Sequence, residues 1–276
     1  MSSMALKMIA VVCMTIDHTG VILAHLWDYN DLASVMRMVG RIAFPLFCFL
    51  IAEGMRKTKS RPKYLLWLGV FAIISLCPFS LFNNVNWYGL RARPNYFLFS
   101  YHNVFFTLFF GAASIFIFDL IRKGFKGCLL GIPGHVVGFA GPVLCAFAAF
   151  RMNTDYGRSA GVLLIFSIYW VMSFEGSNAL GKIPAEAWRF LRAVPMVVWV
   201  HTQYRPGIIP GWVPFYQGRL GDFAVFAAIA PLLVLLYDGS PGPARLRGAS
   251  KIWFYVYYPA HLLALFTWSV FLRDLV

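Results

Sequence analysis

Apolar residues recur in blocks of about 20 along the whole chain, separated by short joints that are basic or rich in Pro and Gly. A block of that length, wound as an α-helix rising about 1.5 Å per residue, matches a bilayer core about 30 Å thick. The pattern predicts about nine spans, near 4–26, 33–55, 63–82, 102–121, 127–150, 157–174, 184–202, 221–237 and 251–272. The seventh begins with Arg189 and Arg192 and is interrupted by Pro195, so it reads either as a full span or as a re-entrant helix. The first run has no small-residue cleavage site before Asp17-His18 and is expected to stay as the first span. The expected fold class is all-α: a polytopic integral membrane protein, with residues 1–276 as one transmembrane domain.

Composition agrees, since 60% of the 276 residues are hydrophobic and 13% are charged, against roughly 25% charged in soluble domains. A soluble globule is excluded, and the lipid bilayer is the first partner. The net charge of +13 does not point to nucleic acid, because the Lys and Arg residues are spread over short joints and helix ends, where basic charge sets topology. Arg56, Lys57, Lys59, Arg61 and Lys63 put five positive charges within eight residues, whereas the first joint carries Asp28 and Asp31 and no Lys or Arg. This places the N-terminus in the cytoplasm, with Arg122, Lys123, Lys126, Arg245, Arg247 and Lys251 on the same side. Nine spans then put the C-terminus outside. The outer joints carry Asn83-Asn84-Val85-Asn86-Trp87-Tyr88 and Gly211-Trp212-Val213-Pro214-Phe215-Tyr216, which read as an interfacial aromatic belt or as the mouth for an acceptor. Gly124, Gly127, Gly131, Gly134, Gly138 and Gly141 read as a stripe along the fifth span, for close helix packing, with His135 within it. Cys13, Cys48, Cys77, Cys128 and Cys145 lie in apolar runs with no CxxC, so no metal or disulfide framework is expected.

Ionisable side chains inside these runs carry the functional signal, because a charge at the bilayer centre costs roughly 2.5–3.5 kcal/mol on insertion scales and needs a partner. Asp17 and His18 fall near the middle of the first span. At about 100° per residue, Lys7, His18 and His25 share one face, and roughly 16 Å of rise separates Lys7 from His18. That stripe reads as a polar passage from the cytoplasmic lip to mid-depth, or as a snorkelling lysine and an interfacial histidine flanking His18. Arg37 and Arg41, one turn apart on the second span and followed by Pro45, each need a carboxylate, a carbonyl or an anion. Asp17 is the expected partner of Arg41, as a structural ion pair or as part of a site; direct hydrogen bonding of Asp17 to His18 is not expected. Glu53 and Lys57 read as a surface pair one turn apart. In the last span Tyr258 and Pro259 precede His261, which counts to the same depth as His18 and predicts a shared cavity. Asn103 and Thr107 share a face for hydrogen bonding, and Asp155 before Tyr156-Gly157 reads first as a helix cap. A mid-membrane imidazole can act as a general base or a transient acyl carrier. No Walker, Rossmann, G-x-S-x-G or H-E-x-x-H motif is present.

Lys7 with Asp17-His18, then Gly40-Arg41-Ile42-Ala43-Phe44-Pro45, Asn103-Val104-Phe105-Phe106, Asp155-Tyr156-Gly157 with Gly161, and Phe254-Tyr255 through His261 together resemble the TraX family of polytopic membrane acyltransferases. The resemblance implies transfer of an acetyl group from cytoplasmic acetyl-CoA, as co-substrate, to an acceptor amine or hydroxyl. In the pilin-related members the acceptor is the N-terminus of a pilus subunit. It implies a bacterial cytoplasmic (inner) membrane setting, and a peptide or small-molecule acceptor as partner. On this reading His18, Asp17 and His261 are catalytic. Lys7, Arg41 and Arg37 serve the coenzyme, and Asn103, Thr107, Tyr156 and Tyr258 serve the acceptor. Lys7 stands where related acyltransferases usually carry an arginine. The rival reading is a proton- or ion-coupled transporter, since buried His, Asp and Arg also mark ion routes; no inverted repeat supports it.

Overall fold

The computed structural model describes residues 1–26, 30–88, 100–124, 128–129, 132–156, 158–175, 183–204, 220–243 and 247–273. In chain order the elements are α1 (Ser3–Leu26), α2 (Asn30–Gly40), α3 (Ala43–Lys57), α4 (Arg61–Ile74), α5 (Leu76–Tyr88) and α6 (Val104–Gly124), then the two-residue strands β1 (Cys128–Leu129) and β2 (Ile132–Pro133), then α7 (Gly134–Gly138), α8 (Ala140–Arg151), α9 (Ser159–Ser173), α10 (Ala185–Tyr204), α11 (Leu220–Ala227), α12 (Ile229–Leu235) and α13 (Arg247–Arg273). Among the described residues four helical stretches are long and apolar enough to cross a bilayer: Ser3–Ala24, Asn30–Lys57, Arg61–Asn84 and Val104–Gly124. Shorter apolar helices cover Val136–Arg151, Ser159–Ser173 and Ala224–Leu235. The molecule is an all-α membrane protein.

Several predicted spans are helix pairs, each broken near a proline, although α10 and α13 run unbroken through Pro195 and Pro259, so the interruption expected at Pro195 is absent. Pro45, Pro78, Pro142 and Pro231 have no N–H to donate to the carbonyls of Arg41, Ile74, Gly138 and Ala227, and their rings crowd those carbonyls. The helix is interrupted at or beside each of the four. At the α2–α3 break the backbone tightens, with Arg41 N–H donating to Met38 O at 3.0 Å and Ile42 N–H to Val39 O at 3.2 Å.

Contacts sort the helix ends onto two faces. On one face Ser3 N–H donates to Ser240 O at 2.9 Å, Lys57 Nζ donates to Gly239 O at 2.7 Å, Arg61 meets Asp119, and Arg56 and Arg192 both meet Glu175. The basic joint after α3 and the basic end of α6 therefore lie on one side, in accord with the charge pattern. On the opposite face His102 N–H, just before α6, donates to Asn153 O, just after α8, at 3.2 Å. α1 and α13 lie side by side and run in the same direction: Lys7 faces Phe254, Thr15 faces Tyr257 and His18 faces His261.

The core joins α1, α3, α6 and α9 through Leu6, Leu46, Phe49, Ala112, Ile115, Ile165 and Ile168. Lipid tails are as apolar as these side chains, so close packing and buried polar bonds specify the arrangement more than hydrophobicity does. The glycine stripe needs correction here: residues 128–133 include β1 and β2, so the glycines do not lie along one helix. The packing role survives at two of them, where a Cβ on Gly138 would lie 3.0 Å from the Phe118 ring and one on Gly141 would lie 2.8 Å from Ile117. The side chain of His135 lies outside the described residues. Glu53 is also not a surface residue. It is 3% exposed, accepts from Tyr237 OH at 2.9 Å, and pairs with Lys57 at 2.7 Å and Arg56 at 3.2 Å.

Candidate active site

The centre of the site is a pair of imidazoles brought together by the parallel run of α1 and α13. His18 Nδ1 and His261 Nε2 are 2.8 Å apart, with ring centroids 5.0 Å apart. The remaining partners settle the tautomers. His261 Nδ1 lies 3.0 Å from Tyr257 O; a carbonyl only accepts, so Nδ1 carries the proton. His261 Nε2 in the neutral ring is then the acceptor, and His18 Nδ1–H donates to it. The lone pair of His18 is consequently on Nε2, which has no hydrogen-bond partner among the described residues. A carbonyl, an imidazole and a second imidazole form a chain that orients one basic nitrogen, as a carboxylate orients a catalytic histidine elsewhere. Tyr257 stacks on His261 at 5.1 Å, and Thr15 Oγ1 meets Tyr257 OH at 2.6 Å, which holds the two helices in register one turn before the pair. Phe82, with its centroid 5.4 Å away, and Tyr258, at 6.4 Å, border His18.

Beside the pair is a buried ionic group. Asp17 is 3% exposed and Arg41 2%, and Arg41 Nη2 donates to Asp17 Oδ1 at 2.6 Å. Arg37 Nη1 stands 3.4 Å from the same oxygen, while Arg41 Nε donates to Arg37 O at 3.0 Å. Arg41 also lies 5.8 Å from the Tyr156 ring centroid, and Tyr156 stacks on Phe44 at 4.1 Å, nearly parallel. Arg41, expected from sequence to serve the coenzyme, is buried with its guanidinium on Asp17 Oδ1 and the Arg37 carbonyl. Two glycines make the group possible. A Cβ on Gly40 would run into the Asp17 side chain, and one on Gly161 would lie 2.7 Å from Phe44 Cζ. Gly40→Ala is therefore expected to push Asp17 off the α2 backbone and to destabilise the fold by about 1–3 kcal/mol, seen as a lower unfolding temperature of detergent-purified protein. An unchanged temperature would show that α2 can move aside.

The other predicted positions divide. Tyr258 is buried beside both histidines, with its centroid 5.5 Å from that of His261. Asn103 and Thr107 are given over to the protein itself: Asn103 Nδ2 donates to Ala72 O at 2.9 Å, and its Oδ1 accepts from Phe105 N–H at 3.0 Å. Thr107 Oγ1 lies 2.9 Å from Thr154 Oγ1 and 2.7 Å from Asp155 O. Both are fully buried, so they fix α6 against α4 and the segment before α9. Lys7 is half-buried near the basic face with its ammonium 5.3 Å from the Phe254 ring centroid. The side chain of His25, those of residues 85–88, and residues 211–216 lie outside the described residues. Asp155 does not cap α9, whose N-cap position is Arg158; its carboxylate instead accepts from Tyr101 OH at 2.6 Å and from Tyr156 N–H at 2.8 Å.

Sequence reading overlooked Tyr257 and Thr15, which a helical wheel places one turn before His261 and His18. It also overlooked the networks at the basic face, where Asp119 joins Arg61 and Tyr169 and Glu175 joins Arg56 and Arg192. Burial alone would raise the Glu175 carboxyl, but the two guanidinium partners hold it below the ordinary carboxylate range. Among the described residues no group of three or more His, Cys, Asp or Glu could hold a metal ion.

No solved structure matches the chain. A probable fimbrial assembly protein FimC (serogroup H1) of Dichelobacter nodosus is 24% identical over 275 residues, covering 99% of this chain and 97% of that protein. An uncharacterized protein, RP591, of Rickettsia prowazekii (strain Madrid E) is 52% identical over 44 residues, 16% of this chain and 15% of that one. The family model described as TraX protein matches residues 2–269, and on that near-complete match the chain belongs to the TraX family.

Proposed function

We propose that this protein is an acyltransferase of the bacterial inner membrane that moves an acetyl group from acetyl-CoA to an acceptor amine or hydroxyl. The observation that carries the reading is the His18–His261 pair, which leaves one basic nitrogen, Nε2 of the half-buried His18, held in place by a second imidazole inside a membrane protein. The acceptor reacts as a neutral amine, its ammonium proton first lost to solvent, or as a hydroxyl, and His18 Nε2 takes its proton as the nitrogen or oxygen bonds to the acetyl carbonyl carbon. The imidazolium then returns that proton to the sulfur as the thioester bond breaks. The hydrogen bond to His261 spreads the transient charge over two rings. Asp17 with Arg37 and Arg41 fixes α1 against α2, and so the height of His18. The fimbrial assembly name of the relative suggests a pilin-like peptide as the acceptor.

The coenzyme's phosphates cannot enter hydrocarbon, so its nucleotide end belongs at the basic face, where Lys7 opens the α1–α13 seam that leads by Thr15 to His18. Purified protein in nanodiscs, given acetyl-labelled acetyl-CoA and a free-amine peptide, is the direct test: label should pass to the peptide. Lys7→Glu is expected to raise the Michaelis constant for acetyl-CoA by about tenfold or more, the worth of one lost charge-assisted contact and one new repulsion. Lys7→Arg should be tolerated, and the acceptor constant should hardly move. An unchanged acetyl-CoA constant in Lys7→Glu removes Lys7 from the site. Proton or solute flux in proteoliposomes without consumption of acetyl-CoA would instead support a transporter.

A further inference from the structure

We propose that Asp155 is the carboxylate that receives the acceptor's positively charged amine, at the face opposite the basic one. The proposal rests on the acyl-transfer reading only for what happens to that amine afterwards.

Asp17, Glu53, Asp119 and Glu175 each have Arg or Lys partners. Asp155 has no cationic partner at ion-pair distance among the described residues. Both of its hydrogen bonds, from Tyr101 OH and Tyr156 N–H, end on Oδ1, and Oδ2 accepts from no described group. The carboxyl is half-buried, so Oδ2 is not sealed from solvent. Burial holds its pKa above the ordinary carboxylate value; the two hydrogen bonds and the more distant Arg41 offset this only in part. A carboxylate in that state gains from an incoming ammonium.

Its backbone is fixed from both sides. The Asp155 N–H donates to His102 O at 2.9 Å, and its carbonyl accepts from Thr107 Oγ1 at 2.7 Å. Asn153, Tyr156 and Arg158 around it have φ of 50°, 58° and 58°, a region that non-glycine residues seldom occupy. Position adds the link to chemistry. Asp155 lies within electrostatic reach of Arg41, Asp17 and the Tyr258 hydroxyl, and Tyr258 borders both histidines. An ammonium on Oδ2 would therefore enter on the side of the His18 pair away from Lys7. A hydroxyl acceptor would lack the charge that Asp155 answers, so the residue selects amines.

The test uses the full chain in detergent at pH 7, where a peptide amine with a pKa of about 8 is protonated, and compares binding of tetra-alanine with that of its N-acetylated form. Wild-type protein should bind the free amine about tenfold more tightly, equivalent to ~1.4 kcal/mol. Asp155→Asn, which keeps an acceptor oxygen for Tyr101 and Tyr156, should lower the preference to twofold or less without changing the unfolding temperature or acetyl-CoA affinity. No preference in the wild type, or an equal preference in Asp155→Asn, overturns the proposal. Label transfer is measured on the same preparations. Loss of preference in Asp155→Asn with no transfer by the wild type would uphold the amine site and refute the acyltransferase. Transfer with the preference intact would do the reverse.

Discussion

His18→Ala is expected to lower acetyl transfer by about 10²–10⁴-fold, the usual worth of a positioned general base, while the protein still purifies as a folded membrane protein. The substitution removes a side chain whose only hydrogen bond among the described residues is to His261, so the ionic group of Asp17 and Arg41 stays whole. His261 acts through His18, and its variants separate positioning from packing. His261→Gln presents an amide oxygen near the place of Nε2, able to accept from His18 Nδ1–H, whereas His261→Ala leaves that donor without a partner. His261→Gln should therefore retain more activity than His261→Ala, chiefly in kcat. Comparable turnover in His18→Ala and the wild type would end the assignment of His18 as base. Equal loss in the two His261 variants would reduce His261 to a packing residue.

Arg41→Ala is expected to cost about 3–5 kcal/mol, the penalty for breaking a buried pair from one side, and so to remove most folded protein. Arg37, at 3.4 Å and partly exposed, cannot replace the 2.6 Å bond or the link from Arg41 Nε to the α2 carbonyl. Arg41→Lys should rescue poorly, because an ammonium lacks the planar fork that serves Asp17 and that carbonyl together. Asp17→Asn in the Arg41→Ala background should recover yield, since the stranded charge is gone. Size-exclusion profiles of fluorescently tagged variants report all three. If the double variant is as depleted as Arg41→Ala, the penalty comes from lost packing against Tyr156 rather than from Asp17.

Several features of this site were legible without coordinates. Asp17, His18, Arg41 and His261 stand out because each interrupts an apolar run at a depth where charge is costly, and opposite charges on neighbouring spans predict one another. The helix breaks were not: spans read as continuous divide near Pro45, Pro78, Pro142 and Pro231, whereas Pro195, read as an interruption, lies inside the unbroken α10. Other features were misread for a common reason. Glu53 pairs with Lys57 as its spacing suggests, yet it is buried because Tyr237, 184 residues away, closes over it. Asp155 looks like a cap in one dimension, and its hydroxyl partner Tyr101 comes from another part of the chain.

The sequence by itself determined that the chain is helical and membrane-bound, which face is basic, and which ionisable groups must be inside, since these follow from transfer energies that each residue carries with it. Only the tertiary structure decided which groups touch. The parallel run of α1 and α13 sets His18 Nδ1 against His261 Nε2, and the Tyr257 carbonyl then assigns the protons. The absence of a Cβ at Gly40 lets Asp17 reach Arg41, and the segment before α9 sets Asp155 apart from every cation among the described residues. Hydrogen bonds and ion pairs depend on fractions of an ångström between residues far apart in the chain. No periodicity along one helix encodes that distance.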